Sequence, residues 1–335
     1  VLRANGGIFS TPEDMMRWAN ALLGGGALPP GSIKKLWTPY VAEGGSSSYG
    51  YGWDIRTMAN GDTLIGHDGG NGYYGASVLL VPRRHIAMVM MTNVAEDMPL
   101  WSGIMESVAA RMVTSDAFPV IPDVVTAPAS RLREVAGAYR FDAENSIDVA
   151  VNENGLRLTP KGQDAFAMAV STRDVNLDRC RDLSERIVGI VTGLTNSDFN
   201  PLYEAYEHRA SMETIKSHWD DAMREWTGEH GKLKGFDVIG TAMLRERDMT
   251  LVRFNFENGT EDRAYVWDKD AEHKLLGVSG RGLASEVHCL PVKGDGFASW
   301  DPRSGDSRPF QLETQDGVRV LRIASGNQTF IARSE

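Results

Sequence analysis

The chain has 335 residues, of which 42% are hydrophobic and 24% are charged, and this composition is typical of a soluble globular protein with two or three domains. Acidic residues outnumber basic ones by 45 to 35, so the formal net charge is −10. This balance argues against nucleic acid and anionic membranes as partners, because binding to either needs a concentrated basic face. The sequence has no run of 18 apolar residues, so no membrane span is predicted.

The first element in chain order is a helix predicted to begin after Thr11. Pro12 takes the first helical position, and the acidic residues Glu13 and Asp14 follow in the first turn, as is typical of a helix N-terminus. One apolar face repeats at helical spacing: Met15, Trp18, Ala19 and Leu22. The three glycines at 24–26 end the helix. A second and a third helix and a mobile loop are also predicted, over residues 33–38, 99–113 and 43–48 respectively.

The stretch His67-Asp68-Gly69-Gly70 lies between the short apolar run 63–66 and the longer run 76–91, which is broken at Pro82-Arg83-Arg84-His85. This pattern predicts a strand, a glycine-rich crossing and a hairpin of two further strands. A histidine followed by glycines presents an imidazole and accessible backbone N–H groups at one place, and such groups can hold a developing oxyanion. The antiparallel sheet predicted here has four strands, over residues 50–56, 62–66, 76–81 and 86–92.

Four motifs in this order resemble the C-terminal part of the catalytic domain in serine β-lactamases and penicillin-binding-protein-like hydrolases, a class that includes class C β-lactamases, D-aminopeptidases and esterases. They are the Gly-Gly helix start at 5–18, the strand Tyr49-Gly50-Tyr51-Gly52-Trp53, the pattern H-x-G-G-x-x-x-x-G at 67–75, and the strand end at 89–93. The histidine pattern takes the place of the K-T-G motif of these enzymes. Together the motifs cover about a third of the chain, residues 1–113.

The resemblance implies acyl transfer to a serine, followed by hydrolysis of an amide or ester, on a small-molecule or peptide substrate and without a cofactor. It implies three catalytic residues: His67, Gly69 and Gly70. The histidine would hydrogen-bond the substrate carboxylate or a shuttle tyrosine, and the N–H of Gly70 would complete the oxyanion hole. Three residues would border the substrate cleft: Tyr51, Asn71 and Tyr73. Since histidine loses its charge near neutral pH, binding of anionic substrates should weaken as pH rises, which favours esters or uncharged amides over penicillins.

The nucleophile motif S-x-x-K and the shuttle motif Y-x-N of these enzymes lie N-terminal to the Gly-Gly helix start, and Val1 lies only four residues before that start. The chain has no Y-x-N, and its only S-x-x-K is Ser32-Ile33-Lys34-Lys35, where Ser32 is interpreted as a helix N-cap. The only S-x-N, Ser325-Gly326-Asn327, is interpreted as a turn. With no initial methionine or signal peptide, the sequence leads us to expect an inactive fragment or processed piece of a longer hydrolase, whose missing N-terminal segment would be a partner. Members of this class are often exported, so a periplasmic or secreted location is favoured over a cytoplasmic one.

The remainder of the chain is predicted to hold a barrel interrupted by an insertion. Residues 1–116 form the catalytic-domain portion, and Pro119, Pro122 and Pro128 mark a linker over 117–130. Residues 131–173 and 286–335 resemble the lipocalin-like barrel appended to many of these hydrolases. Residues 174–285 resemble the cone-shaped folds of the nuclear transport factor and cystatin type. The predicted fold class is α+β: an incomplete β-lactamase-like antiparallel sheet with helices, then a β-barrel domain that carries an inserted α+β module.

The alternative function is a non-catalytic protein that binds a ligand or peptide with the barrel and the inserted module. Three residues are candidates for the lining of a ligand pocket, although packing in a plain core is the favoured interpretation: Met212, Trp219 and Trp226. No metal site is predicted, because His208, His218 and His230 lack ligand spacing. Cys180 and Cys289 also lack it, and a single disulfide between them stays open. The G-x-G-x-x-G at 70–75 precedes a predicted strand, which excludes a dinucleotide site.

Overall fold

The structure is a computed structural model that describes residues 6–44, 47–58, 60–71, 73–94, 98–115, 122–206, 210–244, 247–268, 274–279, 283–294, 296–301 and 306–334. The chain divides into two compact units, Val1–Ile121 with Asp301–Asp306, and Pro122–Trp300 with Ser307–Glu335. None of the described helices is long and apolar enough to cross a membrane.

The first unit is a six-stranded antiparallel sheet with helices, in the order β1-β2-β3-β4-β5-β6. Its elements are α1 (Pro12–Leu23), α2 (Pro30–Leu36), β1 (Val41–Gly44), β2 (Ser47–Tyr49), β3 (Asp54–Thr57), β4 (Thr63–Gly70), β5 (Gly75–Val81), β6 (Ile86–Thr92) and α3 (Met98–Thr114). Side chains on successive residues of a strand point to opposite faces, and here both faces are covered. Ile65 is buried in a cluster with Ala19 of α1, and Leu64 is buried in a cluster with Ala109 of α3.

The start of α1 agrees with the sequence prediction. The Thr11 side chain accepts a hydrogen bond from the backbone N–H of Asp14 at 3.2 Å, and Gly24 caps the other end of the helix. The side-chain oxygen satisfies one of the amides that a helix N-terminus leaves without an intrahelical partner.

Three local predictions in this unit were wrong. Within the predicted mobile loop 43–48, residues 43–44 belong to β1 and residues 47–48 to β2, and the two strands pair with Val41 opposite Tyr49, whereas residues 45–46 lie outside the described residues. The predicted strand 50–56 is divided, because the N–H of Gly50 donates to the carbonyl of Trp53 at 2.8 Å and closes a turn between β2 and β3. In that turn Gly52 has a φ of +77°, which glycine adopts without a steric penalty. Finally, the motif at 67–70 continues β4 rather than forming the glycine-rich crossing.

The second unit combines a closed eight-stranded barrel with a four-stranded sheet and helices. Its elements are α4 (Ala129–Val135), β7 (Gly137–Arg140), β8 (Ser146–Val151), β9 (Leu156–Lys161), α5 (Gln163–Val170), α6 (Leu177–Thr195), α7 (Asn200–Ala205), α8 (Met212–His230), β10 (Leu233–Met243), β11 (Asp248–Phe256), β12 (Thr260–Trp267), β13 (Leu275–Ser279), β14 (Val287–Pro291), β15 (Phe297–Asp301), β16 (Asp306–Gln315), β17 (Val318–Ser325) and β18 (Gln328–Ser334). The predicted α+β fold class, an antiparallel sheet with helices followed by a β-barrel, is confirmed.

The barrel takes its strands from two separate stretches of the chain. Its order is β14-β15-β16-β17-β18-β7-β8-β9, and it closes where Cys289 of β14 pairs with Leu156 of β9. Between these stretches lie α5 to α8 and the antiparallel sheet β10-β11-β12-β13. The predicted domain limits stay a prediction, and buried contacts link the two parts: Phe166 of α5 clusters with Ala242 and Leu251 of the four-stranded sheet.

The two tryptophans that are candidates for pocket lining belong to the core of the inserted module. Trp226 is 5% exposed, and its ring centroid lies 5.5 Å from that of Phe254. Trp219 is partly buried against the same cluster, at 6.2 Å from Trp226. Ring contacts of this kind stabilise a core beyond the area that they bury.

Cys180 and Cys289 are both free and buried, so no disulfide joins them. Burial raises the pKa of the Cys180 thiol from 9.0 to about 12, and the nearby charge of Asp248 adds to the rise. Burial likewise raises the pKa of Cys289 to about 12, with Arg308 acting in the opposite direction. Both thiols therefore stay protonated in the folded state at pH values where an unfolded chain ionises them.

We expect the free energy of unfolding to fall as pH rises above about 9. A thiol whose pKa is higher in the folded than in the unfolded state does not affect the free energy of unfolding below the unfolded pKa. As pH rises from the unfolded pKa to the folded pKa, the unfolded chain ionises first, and the free energy of unfolding falls by roughly 4 kcal/mol per thiol at most. Urea unfolding between pH 8 and 11 measures this fall. In parallel, Ellman's reagent at pH 8 should react with neither thiol until the chain is unfolded. Rapid labelling of the native protein would contradict the buried placement of the cysteines.

Candidate active site

The histidine motif forms the second half of β4, where the strand has one neighbour instead of two. Pairing with β3 runs from Thr57 opposite Thr63 to Asp54 opposite Gly66 and ends there. Pairing with β5 continues as far as Gly70 opposite Gly75. Among the residues that the structure describes, no strand pairs with positions 67–70 on the β3 side, so this half of β4 is an edge of the sheet. Such an edge presents backbone hydrogen-bonding groups to an incoming chain or ligand.

The alternation of backbone direction along β4 determines which amide faces that edge. The N–H of Asn71 donates to the carbonyl of Tyr74 at 3.1 Å, so residue 71 bonds toward the β5 side. In an antiparallel pair, alternate residues bond toward the same neighbour, so Gly69 also bonds toward β5. Gly70, which lies between them, therefore directs its N–H toward the β3 side, where pairing with β3 has ended. This is the group that the resemblance implies as an oxyanion donor.

His67 is exposed and lies on the α1 side of the sheet. Ile65, two residues earlier on the same face of β4, is buried against Ala19 of α1, which fixes the direction of the face. Asp68 lies on the opposite face, as its place in the strand predicts. The imidazole and the N–H of Gly70 thus lie on the same half-strand, three residues apart.

Asp54 is a neighbour of this motif that the sequence analysis did not single out. It begins β3 and pairs with Gly66, the residue immediately before His67. Burial raises the pKa of the Asp54 carboxyl above its usual value, the charge of His67 acts in the opposite direction, and Asp68 adds to the rise. A carboxyl with a perturbed pKa beside a candidate catalytic histidine is a further candidate for the site. No local motif marks it, because its position depends on the register between β3 and β4.

The three residues predicted to border the cleft lie in the two turns next to the motif. Tyr51 is exposed in the turn before β3, and its ring centroid lies 4.7 Å from that of Tyr40. Tyr73 is exposed in the loop between β4 and β5. The side-chain oxygen of Asn71 accepts hydrogen bonds from the N–H groups of Tyr73, at 3.1 Å, and Tyr74, at 2.8 Å. Asn71 therefore shapes the loop that presents the tyrosines.

The two serine motifs lie in structural contexts of their own. Ser32 is not the N-cap that the sequence predicted: Pro29 caps α2, and Ser32 lies in its first turn with its N–H bonded to the Pro29 carbonyl at 2.8 Å. Pro30 occupies the first helical position, so the helix begins before Ser32. Ser325 lies at the end of β17 beside a turn, as predicted, and its buried hydroxyl donates to the carbonyls of Ser171 and Arg173.

Four other histidines, which the sequence analysis considered, are separate from the motif in sequence. His85 lies in the turn between β5 and β6 with a φ of 51°, which agrees with its interpretation as a turn residue. His218 is exposed on α8, and His230 ends that helix. His208 lies outside the described residues. The stretch 70–75 leads into β5 and not into a helix, so the dinucleotide interpretation stays excluded.

Two glycines of β4 offer a matched test of whether the motif serves the fold or a ligand. An added Cβ at Gly69 meets no atom within 4 Å, whereas one at Gly66 lies 3.1 Å from the Val78 carbonyl oxygen. We expect Gly66→Ala to lower the free energy of unfolding by about 1–3 kcal/mol through crowding. Gly69→Ala should change it by less than about 0.5 kcal/mol. Urea unfolding of both variants is the measurement, and an equal loss in both would show that Gly69 is required by packing.

Comparisons with known proteins give one family match, which lies within the first unit, and two similar solved structures. A family model described as Beta-lactamase matches residues 2–103. A solved structure of the octameric penicillin-binding protein homologue from Pyrococcus abyssi is similar at 12% identity and a TM-score of 0.35, covering 98% of this chain and 48% of that one. A crystal structure of SurE with D-Leu is similar at 12% identity and a TM-score of 0.26, covering 97% of this chain and 50% of that one. The chain thus spans about half the length of these two proteins. No curated protein matches.

Proposed function

Since residues 2–103 form a β-lactamase-family region, we propose that this chain supplies the histidine-strand wall of a serine hydrolase that transfers and hydrolyses the acyl group of an amide or ester. The observation that carries the proposal is the half-strand 67–70, which has an exposed imidazole and, among the described residues, no strand paired with it on the β3 side. Of the two exposed glycines in this half-strand, Gly69 has open space where a side chain would lie, so packing does not require a glycine there. Exposed glycines in a strand suit the close approach of a ligand to the backbone.

In this proposal the N–H of Gly70 donates to the oxyanion of the tetrahedral intermediate. One such donor contributes about 10²–10³ in kcat. The imidazole of His67 binds the substrate carboxylate or holds the hydroxyl of a shuttle residue, and it does so from the same strand. The exposed rings of Tyr51 and Tyr73 border the entrance.

The serine nucleophile is proposed to come from outside these 335 residues. Ser32 is a poor candidate, because its S-x-x-K partner Lys35 is exposed on the short helix α2. An effective nucleophile needs an adjacent base within hydrogen-bond reach. Ser325 is buried, and its hydroxyl is engaged by two backbone carbonyls. The proposal therefore makes the chain inactive by itself.

A fluorophosphonate probe, which labels activated serines covalently, tests this proposal directly. We expect no stoichiometric label on the 335-residue chain. We expect one labelled serine in a longer parent protein that carries an S-x-x-K nucleophile motif, and peptide mapping should place the label in that motif. Stoichiometric labelling of Ser32 in the 335-residue chain would identify a nucleophile within the chain and overturn the assignment. Absence of labelling in that parent protein would also contradict it.

A further inference from the structure

Three potential metal ligands meet where the last turn of α8 approaches the first residues of β12. They are Glu229, His230 and Glu261, each with one ligand atom within 4.8 Å of the others. The His230 Nε2 atom lies 3.1 Å from the Glu261 carboxylate and 3.7 Å from the Glu229 carboxylate. Glu261 follows His230 by 31 positions, and all three residues belong to the second unit, whereas the candidate active site belongs to the first.

The His230 ring is held in place by its surroundings. The backbone carbonyl of His230 accepts a hydrogen bond from the N–H of Asn258 at 2.9 Å, and the ring centroid of His230 lies 5.9 Å from that of Phe256. On the Nδ1 side the ring abuts Gly259, where an added Cβ would lie only 2.6 Å from that nitrogen. Nε2 is consequently the nitrogen that faces the carboxylates. A fixed ring orientation is what a histidine ligand to a metal requires.

Glu261 is oriented by a contact behind it. Its second carboxylate oxygen accepts from Arg263 at 2.9 Å, while the first one faces His230. The Arg263 guanidinium lies 4.4 Å above the ring of Trp226, which anchors it to the core. A carboxylate ligand held through its other oxygen is the usual outer-shell arrangement around a protein-bound metal.

We infer that these three side chains form a binding site for a divalent transition-metal ion of the Zn²⁺ class. Nitrogen and oxygen ligands that lie about 2.0–2.1 Å from a tetrahedral metal are roughly 3.3 Å from one another. The distances from His230 Nε2 to the two carboxylates, 3.1 Å and 3.7 Å, lie on either side of this value. The imidazole selects Zn²⁺ over Ca²⁺ and Mg²⁺, which prefer oxygen ligands alone. The Glu229 side chain is 61% exposed, so the site opens to solvent and a water completes the fourth position.

The metal would join α8 to β12 and so act on the inserted module. A ligand that binds only the folded state raises stability in proportion to the logarithm of its concentration. Zn²⁺ should therefore raise the midpoint of thermal unfolding, whereas Mg²⁺ and Ca²⁺ at equal concentrations should leave it unchanged. Without a metal, the same residues form a histidine–glutamate contact, and the experiment must separate these two roles.

The test is calorimetric titration of the chelator-treated 335-residue protein with ZnCl₂ in a buffer that does not bind zinc. We expect saturable binding of one ion per chain, weakened at least tenfold in His230→Gln and in Glu261→Gln. Glu229→Gln changes an exposed side chain, so it should fold normally and still bind more weakly. His218→Gln, at an exposed position on the same helix, is the matched control and should bind as the unmodified chain does.

Several outcomes would overturn the site. They are the absence of saturable Zn²⁺ binding, binding that persists unchanged in His230→Gln, and an affinity that Glu229→Gln leaves unaltered. Far-UV circular dichroism of each variant shows whether it is folded. If His230→Gln does not fold, Glu229→Gln alone decides, because its side chain is largely exposed and carries no packing role.

Discussion

Replacement of Asp248 by alanine is expected to lower the free energy of unfolding by about 3–5 kcal/mol, the usual loss when one partner of a buried ion pair is removed. Asp248 is fully buried at the start of β11 and forms ion pairs with two arginines. Arg179 of α6 donates from Nε at 2.7 Å, and Arg173 contacts the other carboxylate oxygen. Without the carboxylate, two partly buried guanidinium groups would repel each other with no counter-charge between them.

Each arginine also bonds a backbone carbonyl, so neither can turn away freely. Arg173 donates to Leu244, and Arg179 donates to Asp268, both at 2.9 Å. Asp221→Ala is the control, because Asp221 forms an exposed ion pair with Arg224 one helical turn away at 2.9 Å. Exposed pairs of this kind are typically worth 0–1 kcal/mol, so about that loss is expected there. Urea unfolding followed by circular dichroism compares the two variants. Equal losses would mean that water screens the Asp248 pairs as it does the surface pair.

If the proposed hydrolase function holds, His67→Ala is expected to lower kcat/KM by about 10²–10⁴, the range for a side chain that positions or transfers a proton in the transition state. The same change should leave the unfolding free energy within about 0.5 kcal/mol of the original, because the side chain is exposed. Steady-state kinetics on an activated ester and urea unfolding give the two measurements. Asp54→Asn is a companion variant: if Asp54 acts through His67, it should alter the pH profile of the rate without abolishing activity.

His218→Ala serves as the control for loss of an exposed histidine remote in sequence from the motif. Its kinetics and stability should both match those of the unmodified protein. A fall in stability for His67→Ala that equals the fall in activity would assign His67 to the fold. Unchanged turnover would remove it from the site altogether.

Local sequence patterns predicted the elements whose signals lie within a few residues. Thr11 and Pro12 mark the start of α1, and the glycines at 24–26 mark its end. Elements that depend on distant partners were missed. β14 has five residues, and it is defined by its pairing with β9, which precedes it by more than a hundred positions. α5 was missed because it is buried on every side from Ala165 to Ala169 and so lacks an amphipathic period.

The candidate site shows the same division between local and distant information. The order of four short motifs indicated His67 and its glycines, since the glycines and the histidine are adjacent in the chain. The place of Asp54 beside His67 depends on the register of β3 against β4. The cluster of Glu229, His230 and Glu261 depends on the approach of α8 to β12. Sequence patterns report what one strand or helix offers, and the pairing of distant elements decides which residues share a site.

Because the barrel closes between β9 and β14, it cannot form until the ribosome has made both sets of its strands. Lys161 ends the first set of barrel strands, and Val287 begins the second about 125 residues later. At 5–20 residues per second, a ribosome needs roughly 6–25 s to make that interval. Helices form in microseconds, so α6 and α8 can fold while β7 to β9 still wait for their partners. A nascent chain stalled before Val287 therefore exposes an open strand edge, and rapid capture of that edge by a chaperone would favour a correct barrel over aggregation.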